Sequence, residues 1–108
     1  MFENLDPIEV ARRLTEQRES VVLLDVREPY ERRLASIEPS LHIPLQEVPE
    51  RLSEIPKDKA VIIYCHSGVR SMMVAGFLAN RGWESVANLA GGIDAWSLEV
   101  DPRVPRYD

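Results

Sequence analysis

The chain contains one cysteine, Cys65, among 108 residues. It can form no internal disulfide and has no Cys-rich metal set, so whatever Cys65 does, it does with a small molecule or with another chain. Long apolar runs are missing too, since no stretch approaches the ~20 residues that a bilayer-spanning helix needs. The opening Met1-Phe2-Glu3-Asn4-Leu5-Asp6 lacks the basic and apolar regions of a secretory signal and the arginine-rich character of a transit peptide. A cytoplasmic protein with no membrane contact is the expectation. Runs of basic residues are also absent and the formal net charge is -5, which excludes a general nucleic-acid binder because phosphate neutralisation needs a basic surface. There are no internal repeats and no low-complexity tract. What remains is an apolar content of 44%, enough to predict a single domain over residues 1–108 with one core.

The pattern along the chain alternates. Asp6-Pro7-Ile8-Glu9 reads as a helix start, with Asp6 as cap, Pro7 at the first helical position and Glu9 placed to complete a capping box. The helix runs to about Gln17 and turns Ile8, Ala11 and Leu14 inward. Val21-Val22-Leu23-Leu24 and Ala60-Val61-Ile62-Ile63-Tyr64 are short apolar runs rich in β-branched residues, the pattern of strands buried on both faces of a parallel sheet. Glu28-Pro29 opens a short helix to about Leu34, Leu41-His42-Ile43 is a brief strand stopped by Pro44, and Pro49 to Ile55 reads as a short helix. A helix from Ser71 to Asn80 places Met73, Val74, Phe77 and Leu78 at helical spacing, and Met72 and Met73 read as core filler. Ser85 to Leu89 is a further strand, and Ala90-Gly91-Gly92 turns into a last helix over Ile93 to about Leu98. From about Asp101 the proline-punctuated tail is expected to lie extended on the surface. Strands alternating with helices in this way imply an α/β domain with a mainly parallel sheet.

Asp25 and Cys65 occupy equivalent strand ends, at the carboxyl edge where open α/β sheets bind ligands. The six residues Cys65-His66-Ser67-Gly68-Val69-Arg70 lead straight into a helix, and such a loop can aim several backbone N–H groups at one point. Alone, a cysteine after an apolar strand is more often a buried core thiol than a reactive one. The loop changes that balance, because a helix N-terminus and a nearby guanidinium both favour the thiolate. Gly68 permits conformations that let successive amides curl inward, and Ser67 and Ser71 add hydroxyl donors. Arg70 either offers its fork to an oxyanion or ties the loop to the domain through a carboxylate, with the first reading preferred. His66 is adjacent to Cys65, a placement that seldom lets two side chains face each other, so it reads as a rim residue rather than a general base. His42 reads as structural.

Four motifs in order then resemble a known family. Leu24-Asp25-Val26-Arg27-Glu28 with Tyr30-Glu31, Ile43-Pro44-Leu45, Ile63-Tyr64-Cys65 with Ser67-Gly68-Val69-Arg70-Ser71, and Leu89-Ala90-Gly91-Gly92-Ile93-Asp94-Ala95-Trp96 make the chain similar to the single-domain rhodaneses from about Leu5 to Asp101. The resemblance implies a three-layer domain with about five strands flanked by helices, and a sulfurtransferase activity needing no cofactor or metal. Cys65 would take a sulfane sulfur from a small-molecule donor such as thiosulfate, become a persulfide, and pass the sulfur to cyanide or a thiol acceptor. The loop of His66, Ser67, Gly68, Val69, Arg70 and Ser71 would hold the outer sulfur, while Asp25 and Arg27 would brace the site. Two positions depart from the usual pattern: His66 stands where most such loops carry Arg, and Ser36-Ile37-Glu38-Pro39-Ser40 lacks a His and a Gly that the corresponding segment usually has. The closing Asp101-Pro102 and Pro105-Arg106-Tyr107 resemble the ends of rhodanese domains fused to sulfur-carrier activating enzymes, which implies a role in supplying sulfur for cofactor biosynthesis; a sulfur-relay protein is an expected partner.

Two rival readings have distinct signatures. Phosphatases and arsenate reductases related to this fold need a longer spacing between Cys and Arg to surround a tetrahedral oxyanion, whereas four residues, His66 to Val69, intervene here; the tighter ring suits one sulfur atom. A non-catalytic or partner-dependent sulfur-carrier module is the other alternative, because a fold and a motif do not by themselves establish turnover.

Overall fold

Apolar runs form the middle of the sheet, and polar or shorter segments form its edges. The computed structural model describes residues 1–108, with strands β1 (Glu3–Leu5), β2 (Val21–Asp25), β3 (Leu41–His42), β4 (Ala60–Tyr64) and β5 (Val86–Leu89). Their order across the sheet is β1-β5-β4-β2-β3, and every neighbouring pair is parallel. The two strands with the most continuous apolar sequence, β2 and β4, lie side by side with Val21 opposite Ala60 and Asp25 opposite Tyr64. All five strands therefore end at one edge. β1 was not legible in the sequence: its three residues are polar except for Leu5, and they become a strand by pairing with Ala87, Asn88 and Leu89 of β5.

Helices α1 (Pro7–Glu16), α2 (Pro29–Leu34), α3 (Val69–Ala79) and α4 (Gly92–Glu99) complete the layers. The alternation of side chains along β4 separates two cores. Ile62 and Tyr64 pack with Val10 of α1 and with Ile93 and Trp96 of α4, while Val61, Ile63 and Cys65 pack with Val74, Ala75 and Leu78 of α3. Burying each large aliphatic chain contributes ~1.5–3 kcal/mol, so both faces of the sheet are held by the same force. Cys65 thus belongs to the α3 side.

Several local expectations need correction. Asp6 does cap α1, accepting from the Glu9 N–H at 2.8 Å, but the Glu9 carboxylate points to Arg12 and Arg13 rather than back to the cap. Ile8 is exposed, because the buried stripe of α1 is set by Val10 instead. The segment read as a helix from Pro49 to Ile55 is two 3₁₀ turns, Leu45–Glu50 and Leu52–Glu54, closed by i→i+3 bonds from Arg51 N–H to Val48 O and from Ile55 N–H to Leu52 O, each 3.1 Å. Met72 and Met73 are not core filler. Met73 is 62% exposed and Met72 is also on the surface, because Ser71, Val74, Ala75 and Leu78 form the buried side of α3. No helix is long and apolar enough to cross a membrane.

Candidate active site

Cys65 leaves the end of β4 and its side chain turns into the loop that follows. The Gly68 N–H donates to Sγ at 3.1 Å and the Ser71 N–H at 3.4 Å, with Ser71 Oγ 3.3 Å away. These are the amides of the α3 cap and of its first turn. Two amides of the loop thus reach the sulfur, but the sulfur does not stand at an open mouth. Cys65 is 1% exposed, and the largest cavity, ≈ 450 Å³, lies elsewhere, between α1, α4 and the 37–39 loop. With so few residues between Cys65 and Arg70 the loop closes directly over the sulfur, and the side chains that face solvent are those of Ser67 and Val69.

The amides turn inward because the carbonyls are held outward. The first N–H groups of α4 take two of them: Ile93 N–H donates to Cys65 O at 2.9 Å and Asp94 N–H to His66 O at 3.1 Å. Two glycines make this possible. Gly68 caps α3 with φ +100, a conformation that L side chains rarely adopt. Gly92 has φ +63, and a Cβ there would fall onto the Cys65 and His66 carbonyls. The Gly91-Gly92 turn is thus packed against the loop, which explains why two glycines precede a helix at this point.

Arg70 does not face the sulfur's entrance freely, because both of its terminal nitrogens are on the Glu31 carboxylate, at 2.7 and 2.8 Å. Glu31 is in turn bonded by the Tyr107 hydroxyl at 2.8 Å and, through Oε1, by the Glu28 N–H at 3.0 Å. Burial pushes the Glu31 carboxyl up, but the Arg70 guanidinium, the Glu28 amide and the Tyr107 hydroxyl together bring it down to about 2. The Arg70 guanidinium is held more firmly protonated, first by the hydrogen bonds to Glu31. Of the two alternatives for Arg70, the structure displays the tie through a carboxylate.

Asp25 and Arg27, expected from sequence to brace the site, are fully buried beside this pair and bonded to each other. Arg27 Nε and Nη2 bond the two Asp25 oxygens at 2.9 and 2.8 Å, Nη2 also reaches Ala35 O at 2.8 Å, and Nη1 donates to the Tyr107 hydroxyl at 2.9 Å. Arg32 Nη1 and the Tyr64 hydroxyl add two more donors to Asp25 Oδ2. Burial works against the Asp25 carboxylate, yet Arg27 outweighs it and holds the group below the usual range. Neither residue touches Cys65. Hydrogen bonds run from Arg27 to the Tyr107 hydroxyl, from Tyr107 to Glu31, and from Arg70 to the same carboxylate.

Sequence reasoning assigned no role to Glu31, Tyr107 or Asn88. Tyr107 stacks on His66 with ring centroids 4.1 Å apart and an interplanar angle of 13°, so the tail lies over the site. It is anchored by the Ser97 hydroxyl on Val104 O at 2.6 Å and by Arg106 on Asp94 at 2.8 Å. The signal available for it was the rigid Pro105-Arg106-Tyr107 ending. Asn88, wholly buried on β5, accepts from the Ser71 hydroxyl and donates through Nδ2 to Asn4 Oδ1 at 2.9 Å and Gly68 O at 3.3 Å. His42 donates its Nε2–H to Arg27 O, 2.8 Å away, rather than to the Cys65 loop. No group of three or more His, Cys, Asp or Glu side chains gathers as a metal site would require.

This arrangement has close counterparts. Residues 6–99 match the Rhodanese-like domain family. A protein named sulfurtransferase from Allochromatium vinosum is 41% identical over 104 residues, covering 96% of both chains. The putative sulfur carrier protein YrkF of Bacillus subtilis is 37% identical over 94 residues, spanning 87% of this chain and 51% of that one. The crystal structure of a rhodanese-related protein from Thermoplasma volcanium superposes with a TM-score of 0.82 at 30% identity, over 98% of this chain and 100% of that one. With the motif-bearing loop, the all-parallel sheet and the paired sequences in agreement along nearly the full length, the chain belongs to the family of rhodanese-like domains.

Proposed function

We propose that this protein is a sulfurtransferase that moves a sulfane sulfur from a donor such as thiosulfate to cyanide or a thiol through a persulfide on Cys65. The observation that carries the reading is the pair of N–H groups, from Gly68 and Ser71, aimed at the sulfur of the chain's one cysteine. The Cys65 thiolate attacks the outer sulfur of thiosulfate, the S–S bond breaks, and sulfite leaves with the bonding pair. Cys65 then carries S–S⁻. Cyanide or a thiolate acceptor next attacks the outer sulfur and returns the Cys65 thiolate. Charge on sulfur is offset throughout by fixed amide dipoles that need no reorganisation. In this reading, the backbone from His66 through Ser67, Gly68, Val69 and Arg70 to Ser71 encloses the outer sulfur, and Asp25 with Arg27 keeps Arg70 in place through Glu31 and Tyr107.

A second reading is favoured by the 1% exposure of Cys65: the sulfur is loaded only when a sulfur-relay protein opens the loop, as the likeness to a putative sulfur carrier protein suggests. Mass spectrometry of the whole protein after incubation with thiosulfate separates the two. The expected result is a gain of one sulfur that cyanide removes and that Cys65→Ser abolishes. An unchanged mass with thiosulfate, together with a gain when a persulfidated protein donor is supplied, selects the carrier reading. No gain with either ends both.

A further inference from the structure

Ser71 stands beside the reacting sulfur with one hydroxyl proton, and the structure shows where that proton goes. Asn88 is wholly buried, and its amide orientation is set by Gly68 O, which can only accept and therefore takes Nδ2–H. The Asn4 side chain occupies the same nitrogen. Oδ1 is left facing the Ser71 hydroxyl, and a carbonyl oxygen can only accept, so the Ser71 proton is committed to Asn88. Ser71 Oγ then presents lone pairs, not a donor, to Cys65 Sγ at 3.3 Å.

We infer that Asn88 is a positioning residue that turns Ser71 into a hydrogen-bond acceptor toward Cys65. Sγ is met by two backbone N–H donors and by one acceptor, Ser71 Oγ. A thiol satisfies that acceptor with its S–H, whereas a thiolate faces it with no proton to share, and a hydrogen bond to the neutral form works against the charged one. In the persulfide the negative charge sits on the outer sulfur and Sγ is neutral, so the acceptor opposes it far less. Asn88 thereby shifts the balance from the empty thiolate toward the sulfur-loaded state. The expectation from sequence that the Ser71 hydroxyl donates to the sulfur is reversed by its neighbour on β5.

This inference rests on Cys65 as the reacting atom, but its test needs no sulfur transfer. The ratio of thiolate to thiol can be read at neutral pH from thiolate ultraviolet absorbance, to which Cys65 is the one cysteine that contributes, and checked by the rate of alkylation with iodoacetamide. Asn88→Leu releases the Ser71 proton to the sulfur and should raise the ratio about fivefold, the worth of a single hydrogen bond. Ser71→Ala, which removes the acceptor, should raise it by a smaller factor, and adding Asn88→Leu to Ser71→Ala should change nothing further. If Ser71 instead donates to sulfur, Ser71→Ala lowers the ratio and Asn88→Leu leaves it unchanged, which overturns the proposal. An equal effect of Asn88→Leu with and without Ser71 overturns it as well. Should Asn88→Leu fail to fold, as its melting curve would show, the sign of the Ser71→Ala change decides alone. Failure here, with persulfide formation intact, leaves the proposed function standing.

Discussion

Two glutamates of this chain are held at about 2, Glu9 on the outer surface of α1 and Glu31 under the tail, and they reach that value by opposite routes. For Glu9 the hydrogen bonds from Arg12 and Arg13 come first and burial opposes them weakly. For Glu31 burial is the largest influence and acts upward, so Arg70, the Glu28 amide and Tyr107 have to outweigh it. The surroundings differ accordingly. The Arg12 side chain is 46% exposed and shares Glu9 and Glu16 in helical i,i+3 and i,i+4 pairs, while the Glu31 side chain is 3% exposed and links α2, the Cys65 loop and the C-terminal tail. A depressed carboxylate reports that a partner is present. Whether the partner contributes to stability depends on how much water would otherwise solvate the group.

The strongest way to break this contrast is Asp25→Ala. It leaves the Arg27 guanidinium, with a side chain 0% exposed, without its counter-charge, and should lower the unfolding free energy by about 3–5 kcal/mol in a urea titration. A loss below about 1 kcal/mol would place the buried network in the same class as the surface one. A smaller effect with a distinctive pH signature is expected for Glu31→Gln. The native carboxyl titrates at about 2 against an ordinary 4.5, so its contribution is complete above about 4.5 and is lost as pH falls toward about 2. In that window the unfolded chain binds the proton and the native one does not, so protonation favours unfolding. The stability gap between wild type and Glu31→Gln should be about 2 kcal/mol at neutral pH and should close as pH falls through the window; a gap independent of pH would remove the charge-based account. The least effect belongs to Arg12→Gln, which should move the melting midpoint by no more than about 2 °C and by less in added salt.

Most of the architecture was legible because it rests on local pattern. Val21 to Leu24 and Ala60 to Tyr64 could be read as central strands since both of their faces are apolar, and their shortness and β-branched residues favour a strand over a buried helix. Asp6-Pro7 and Glu28-Pro29 marked helix starts through the fixed φ of proline. β1 was not legible, because Glu3 and Asn4 carry no apolar signal and are strand only by virtue of β5. The exposure of Met72 and Met73 was also hidden, as a helix that is apolar on most sides does not reveal which side meets the sheet. In the site, the residues of the Cys65 loop stood together in the sequence, whereas Glu31, Asn88 and Tyr107 each join it across a long span of chain. Arg70 shows the same limit at a single residue: its fork was visible, but the carboxylate that occupies it, 39 positions away, was not.

By itself the sequence determined the layered α/β arrangement, the place of one sulfur at a strand-to-helix crossing and the short gap to Arg70, because each of these depends on neighbours along the chain and on the conformations they allow. Only the tertiary structure decided that the sulfur is covered, that Arg70 is spent on Glu31, that the tail lies over His66 and that the Ser71 proton belongs to Asn88. Hydrogen-bond direction and burial depend on which groups from distant segments arrive at the same point, and a single donor can serve only the acceptor that reaches it.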